Sequence, residues 1–188
     1  DVKFVTGAPD AADLDTWRAS HTILDVRAAD DFAAGHIEGA TNVAFGDIIT
    51  AAEGAANDIV VVCYTGQSAC YAVSLLRLAG FSEAQSLKWG MSGWHSDLAG
   101  PWNNNIGNDG DGQLVTTATA SVTFDDPVLT ETIEDGAALL DARIDAVLGE
   151  GFKGVTATDV LTTPTNYFIN NYFSEADYTG FGHIDGAY

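Results

Sequence analysis

Residues 59–63, Ile-Val-Val-Val-Cys, form an apolar run with no polar residue in alternation. A half-exposed strand alternates between apolar and polar positions. A run that does not alternate reads as a strand buried on both faces, as in a parallel sheet covered by helices on each side. The neighbouring segments fit such a layered arrangement. Val2–Val5, Thr22–Val26, Thr41–Phe45 and Ser86–Trp89 read as further strands. Asp10–Ala19 reads as a helix with Leu14 and Trp17 on one face, and Asp30–Ala34 as a helical turn closed by Gly35. From Ser68 to Ala79 the spacing of Ala72, Leu75, Leu76 and Ala79 predicts a longer helix, stopped by Gly80. Strands alternating with helices predict an α/β fold with a central parallel sheet.

Charge limits the partners. Lys and Arg number 7 against 27 Asp and Glu, a net charge of −20. Such a surface repels nucleic acid and anionic lipid. The acids are dispersed, mostly as single Asp residues, and read as a solvated acidic face; export to a periplasmic or extracellular setting and a salty environment both account for it, and composition does not choose between them. No apolar run reaches membrane-spanning length, so membrane insertion is not expected. The chain begins at Asp1 rather than Met, which reads as a processed or trimmed product. With 46% hydrophobic residues there is ample material for a packed core. Two cysteines allow at most one disulfide, so the chain is not a disulfide scaffold.

Residues 103–117 interrupt the pattern. The stretch Asn103–Gln113 is rich in Asn, Gly and Asp, as a linker is. Asp109-Gly110-Asp111-Gly112 resembles the start of a calcium loop, but Thr and Ala stand where the bidentate acid belongs. Beyond the linker, earlier phrases return in order. Ile23-Leu24-Asp25-Val26-Arg27 reappears as Leu139-Leu140-Asp141-Ala142-Arg143, and Gly35-His36-Ile37-Glu38-Gly39-Ala40 as Gly182-His183-Ile184-Asp185-Gly186-Ala187. This is an internal duplication. The second pair of phrases stands much farther apart than the first, so residues 144–181 read as an insertion. The expected organisation is a complete domain at 1–102, a linker at 103–117 and the N-terminal part of a second copy at 118–188, with Leu139–Ala142 as a strand. The missing remainder of that copy is expected to follow Tyr188, or to be supplied by a separate chain or a swapped copy.

Cys63 ends the buried strand at the place where open α/β sheets bind ligands. The loop Tyr64-Thr65-Gly66-Gln67-Ser68 is short, and Gly66 lets it curl. A curled loop entering a helix N-terminus aims several N–H groups at one point, here the Cys63 sulfur. Such donors favour a thiolate over a thiol. A small buried cysteine serving only as packing is the bland alternative; the glycine and the strand-end position weigh against it.

With these features in place, the sequence resembles the rhodanese, or sulfurtransferase, family. The resemblance rests on Leu24-Asp25-Val26-Arg27, Gly35–Ala40, the Cys63–Ser68 loop and Leu87-Lys88-Trp89-Gly90-Met91-Ser92-Gly93-Trp94, in the family's order. It implies a central parallel sheet with helices on both faces, plus part of a second copy. It also implies a Cys63 nucleophile that carries sulfane sulfur as a persulfide, with the backbone of Tyr64–Ser68 as its cradle. No cofactor is implied beyond that covalent persulfide, and no metal; the partners are a small sulfur donor and a thiol or cyanide acceptor. Asp25, Arg27 and Trp89 are candidates for site wall or support, with Asp25 and Arg27 more often tying a strand end to its neighbours; Cys70 reads as a packed, inert thiol ahead of a resolving one, and His36 as structural ahead of a base. Trp94 either walls the site or fills the core, and His21 and His95 lack metal-ligand spacing. Gln67 stands where thiosulfate-using members usually carry Arg, which disfavours a dianionic donor. A cysteine phosphatase would need Arg six residues after the cysteine, and Ala69 is there instead. The competing function is a non-catalytic rhodanese-like module that binds a partner.

Overall fold

The computed structural model describes residues 3–126 and 128–188; Val2, at the start of the first expected strand, lies outside them. The chain forms two compact units. Asp1–Ile106 and Glu131–Phe152 make the first, Gly107–Thr130 and Lys153–Tyr188 the second.

In the first unit the strands are β1 (Val5–Thr6), β2 (His21–Asp25), β3 (Thr41–Asn42), β4 (Asp58–Val62) and β5 (Gln85–Leu87). They form one sheet in the order β1-β5-β4-β2-β3, and every neighbouring pair is parallel. The helices are α1 (Leu14–Ser20), α2 (Ala29–Ala34), α3 (Ile48–Glu53), α4 (Gln67–Leu78), α5 (Gly90–Trp94) and α6 (Gly100–Asn103). The unbroken apolar run lies in the middle of the sheet. Val62 of β4 pairs with Asp25 on one side, and Val61 pairs with Ser86 on the other.

Successive β4 side chains enter opposite layers. Ile59, Val61 and Cys63 pack with Ile48 and Ala52 of α3 and with Ala69, Ala72, Val73, Leu75 and Leu76 of α4. Val60 and Val62 pack with Ile23, Ile37, Leu87 and Met91, flanked by Trp17, Tyr64 and Trp94. Both faces of the strand are dry, which is why its sequence lacks alternation. Burial of Val60, Val61 and Val62, all fully inaccessible, contributes about 1.5–3 kcal/mol per side chain.

The expected strand at Leu139–Ala142 is corrected by the structure. These residues lie inside α7, Gly136–Glu150. The two versions of the phrase differ where it matters: β-branched Ile23 and Val26 are replaced by Leu139 and Ala142, both strong helix formers. Asp135 caps the helix, its carboxylate accepting from the Ala138 N–H at 2.8 Å. Ile144 and Leu148, one turn apart, are buried in the same core layer as α3 and α4, with Val147 packed alongside. Residues 131–152 therefore group with the first unit and not with the 118–188 segment expected from the repeat.

The second unit contains α8 (Ala157–Thr162), α9 (Glu175–Gly180) and an antiparallel pair, β6 (Leu114–Val115) with β7 (His183–Ile184). The other repeated phrase keeps its local form. In the first copy the His36 ring stacks on Phe32 at 3.8 Å with Nδ1 2.9 Å from the Phe32 carbonyl. In the second, His183 stacks on Tyr178 at 3.5 Å with Nδ1 2.9 Å from the Tyr178 carbonyl. Gly39 and Gly186 take φ of 86° and 81°, and the following alanine N–H bonds back to Ile37 or Ile184 in each.

The packing of α7 is open to test. Ile144→Ala is expected to lower stability in urea unfolding by about 2–4 kcal/mol. Asp141→Ala, on the exposed side of the same helix, is expected to stay within about 0.5 kcal/mol of the parent.

Candidate active site

Beyond Val62 the chain leaves the sheet and returns as α4 within a few residues. Gly66 makes this possible: it precedes the helix at φ 94° and ψ −13°, a left-handed conformation that costs an L-residue about 1–2 kcal/mol. In that conformation the Gly66 N–H points back and donates to Cys63 Sγ at 3.1 Å. The Ala69 N–H, in the first turn of α4, donates to the same sulfur at 3.4 Å. Cys63 is only 4% exposed. Two backbone donors and a helix N-terminus thus converge on one sulfur, an arrangement that stabilises negative charge there.

The base of the loop is fixed from the other side. Cys63 and Tyr64 carbonyls accept from the N–H groups of Met91 at 2.8 Å and Ser92 at 2.9 Å, in α5. This close approach requires Gly90, whose φ is 54°: a Cβ there would collide with the Cys63 carbonyl oxygen and lie 2.8 Å from the Tyr64 carbonyl carbon. Just before it, Trp89 has φ 62°, the one positive value outside glycine among the described residues. Its backbone lies against the loop, with N 3.6 Å from where a Gly66 Cβ would stand. Its side chain is half exposed, and Lys88 Nζ sits 5.5 Å from its ring centroid.

Asp25 and Arg27 are adjacent to the loop but aimed elsewhere. Their side chains form a buried pair at 2.7 Å, each about 1% exposed. Arg27 Nη2 also donates to the Gly35 carbonyl at 2.7 Å, and Asn42 Nδ2 donates to the carbonyls of both Asp25 and Arg27. The pair ties the end of β2 to the Gly35 turn and to β3. Burial opposes the charge on Arg27, but hydrogen bonds and the charge of Asp25 more than offset this, so its affinity for the proton rises. The guanidinium carbon also lies 5.0 Å from the Tyr64 ring centroid. Desolvation pushes the Tyr64 phenol up, and Asp31 adds to the rise while Arg27 works against it.

The remaining candidates separate clearly. Thr65 is half buried on the loop, Gln67 is exposed at the start of α4, and Ser68 is half buried next to it in the same helix. Cys70 is half buried on the first turn of α4, its N–H taken by the Gly66 carbonyl at 2.9 Å. His36 is exposed and engaged with Phe32, away from the sulfur. Trp94 fills the core layer beside Trp17, at 5.7 Å. His21 packs on Trp17, and His95 faces Asp97. Two contributors were not singled out in the sequence. Gly90 was visible only as part of a longer phrase, and its role comes from a contact distant in sequence. Trp102, whose ring meets Trp89 at 5.3 Å and 61°, carried no local signal.

The two glycines support the loop differently, and their variants should rank accordingly. Gly66→Ala, with ordinary contacts around the new methyl, is expected to cost about 1–2 kcal/mol. Gly90→Ala is expected to cost more, because main chain must move. Denaturant unfolding of both variants tests the order; equal costs would remove the tight contact from the account.

A rhodanese-like domain model matches residues 9–97. The chain is similar to the thiosulfate sulfurtransferase GlpE of Pseudomonas fluorescens, 39% identical over 77 residues that cover 39% of this chain and 70% of that protein. It is also similar to the thiosulfate sulfurtransferase GlpE of Shewanella oneidensis, 39% identical over 82 residues, covering 43% of this chain and 81% of that protein. Among solved structures it is similar to a rhodanese-related protein from Thermoplasma volcanium, with a TM-score of 0.43 and 22% identity, covering 50% of this chain and 93% of that one. Through residues 9–97 the chain belongs to the rhodanese family.

Proposed function

We propose that the protein is a sulfurtransferase in which Cys63 carries sulfane sulfur as a persulfide. The observation that supports this reading most directly is the pair of N–H groups, from Gly66 and Ala69, aimed at Cys63 Sγ. The thiolate attacks the outer sulfur of a donor, forming a new S–S bond to Cys63. The donor's own bond to that sulfur breaks, and the electron pair leaves with the remainder, as sulfite when the donor is thiosulfate. An acceptor thiolate or cyanide then attacks the outer sulfur of the persulfide, and Cys63 departs as thiolate. The loop amides stabilise negative charge on the sulfur before and after transfer. Tyr64–Ser68 supply the cradle, Trp89 a wall, and Asp25 with Arg27 hold the ground beneath Tyr64. The covalent persulfide is the sole carrier the reaction needs.

The similarity to thiosulfate sulfurtransferases favours thiosulfate as one donor. The loop itself carries no cation, since Gln67 is neutral, and the protein is strongly acidic. A persulfide or polysulfide donor fits this loop better than a compact dianion. Recurrence of the Gly35–Ala40 turn at Gly182–Ala187 supports a duplicated origin for the two segments; the proposed chemistry rests on the first unit alone.

Two experiments test the reading. Intact-mass analysis after exposure to a sulfane donor is expected to show one added sulfur on the parent protein and none on Cys63→Ser; equal labelling of the variant would transfer the role to Cys70 or remove it. Gln67→Arg is expected to raise kcat/KM for thiosulfate about tenfold at low ionic strength, with the gain shrinking as salt is added. A gain that ignores salt would contradict the electrostatic explanation of donor preference.

A further inference from the structure

Trp89 is held against local backbone preference. Its left-handed φ is a conformation the chain assigns to glycine at Gly39, Gly66, Gly80 and Gly90. Such strain persists where the surroundings require it, and it clusters at ligand sites. The main chain is fixed by the close approach of Gly90 to Cys63 and Tyr64, whereas the Trp89 side chain, 52% exposed, is not held by the core. The Trp89 main chain lies beside the sulfur loop, and its ring is left half in solvent. Its Cβ rests on Gly93, where an added methyl would come within 2.9 Å. Its ring meets the edge of Trp102, itself 41% exposed. Trp89, Ser92, Gly93 and Trp102 enclose an open cavity of about 230 Å³. The slot adjoins the loop through main chain: the Ser92 N–H binds the Tyr64 carbonyl, and Trp89 N lies 3.6 Å from where a Cβ on Gly66 would stand, Gly66 being the residue whose N–H binds Cys63 Sγ.

We propose that this slot is the acceptor subsite, taking a thiol whose body is a single aromatic ring or a short alkyl chain; the inference rests on the sulfurtransferase reading. Its walls are two indoles, which favour an apolar or aromatic body over a hydrophilic one. The volume admits one ring. Thiosulfate and cyanide, small and without carbon bodies to bury, gain nothing from it. With the body in the slot, the thiolate attacks the outer sulfur of the Cys63 persulfide. The new S–S bond forms on the acceptor, the bond to Cys63 breaks, and its electron pair returns to Sγ under the Gly66 and Ala69 amides. The product is an organic persulfide, and no outside oxidant or reductant is consumed. Trp102 is the specificity-determining residue, and it lies outside the 9–97 segment matched by the family model.

The test is single-turnover discharge of the persulfidated protein by thiophenol and by 2-mercaptoethanol, after loading is verified by mass. Each variant is compared with the parent for each thiol, so the intrinsic reactivity of the thiol cancels. Trp102→Ala is expected to slow thiophenol about fivefold more than 2-mercaptoethanol, the scale of one aromatic contact, and Trp102→Phe to restore most of the difference. Trp89→Gly, which removes the other wall and relieves the left-handed strain, is expected to lose the same preference without a fall in Tm. Failure of the parent to load sulfur overturns the sulfurtransferase reading and the slot with it. Normal loading followed by discharge that Trp102→Ala changes equally for both thiols, or not at all, overturns the slot alone.

Discussion

The hydrogen bond from Met91 N–H to the Cys63 carbonyl, with its companion from Ser92 to Tyr64, is the contact on which the site depends. It forms only because Gly90 lacks a side chain. Through it, α5 holds the first two residues of the loop while α4 holds the last. Between these anchors the backbone has few conformations left, and Gly66 in the left-handed region is the one that turns its N–H toward Sγ. Without the α5 anchor, Cys63 would still end β4, but nothing would fix the direction of the amides. Preorganised donors stabilise charge because they need no reorientation when the charge appears.

The sheet supplies the second constraint. β4 pairs on both sides and is dry on both faces, so Cys63 starts from a strand that cannot shift. Next to it, Asp25 and Arg27 are taken out of water together. A buried pair is weak evidence for stability, since desolvation consumes most of the Coulomb gain. Its value here is geometric. Arg27 donates from Nε and Nη2 to Asp25 and from Nη2 to the Gly35 carbonyl, which pins the end of β2 to the turn after α2. The same guanidinium lies close to the Tyr64 ring. Its contribution to the site is therefore exerted through the position of Tyr64, not through contact with the sulfur.

The fold was legible where burial dictates residue type. The β4 run, the apolar face of α4 and the Leu24–Arg27 phrase all appear close to where the sequence placed them, with ends displaced by a residue or two. Cys63, Gly66 and the converging amides were legible because a strand end, a glycine and a helix start are local features. The α5 anchor was not, because it joins residues far apart in the chain, and Gly90 reads like any other glycine until its neighbour is known. Trp102 was invisible for a related reason. An exposed tryptophan in a Gly- and Asn-rich stretch acquires meaning only when a second indole is brought against it. Trp94 and Trp89 could not be told apart by type; one faces the core, and the other is turned outward by a single unusual φ.

The duplicated phrases show why one kind of signal travels and another does not. Gly182–Ala187 reproduces the turn of Gly35–Ala40 because that turn carries its own interactions: a ring stacked on the imidazole, an Nδ1 contact to a nearby carbonyl, a left-handed glycine and a short backbone return. All of these lie within a few residues of one another, so different surroundings leave them intact. A strand has no such autonomy, since its hydrogen bonds belong to its neighbours. Thr22–Val26 gains them from β3 and β4. Leu139–Arg143 has no such pairing, and Leu and Ala in place of Ile and Val tip the balance toward internal hydrogen bonding. The helix that results can still bury an apolar stripe, and it does so at Ile144 and Leu148. Likeness between short phrases therefore transfers structure when the phrase closes its own hydrogen bonds, and fails to when they must be closed by something else.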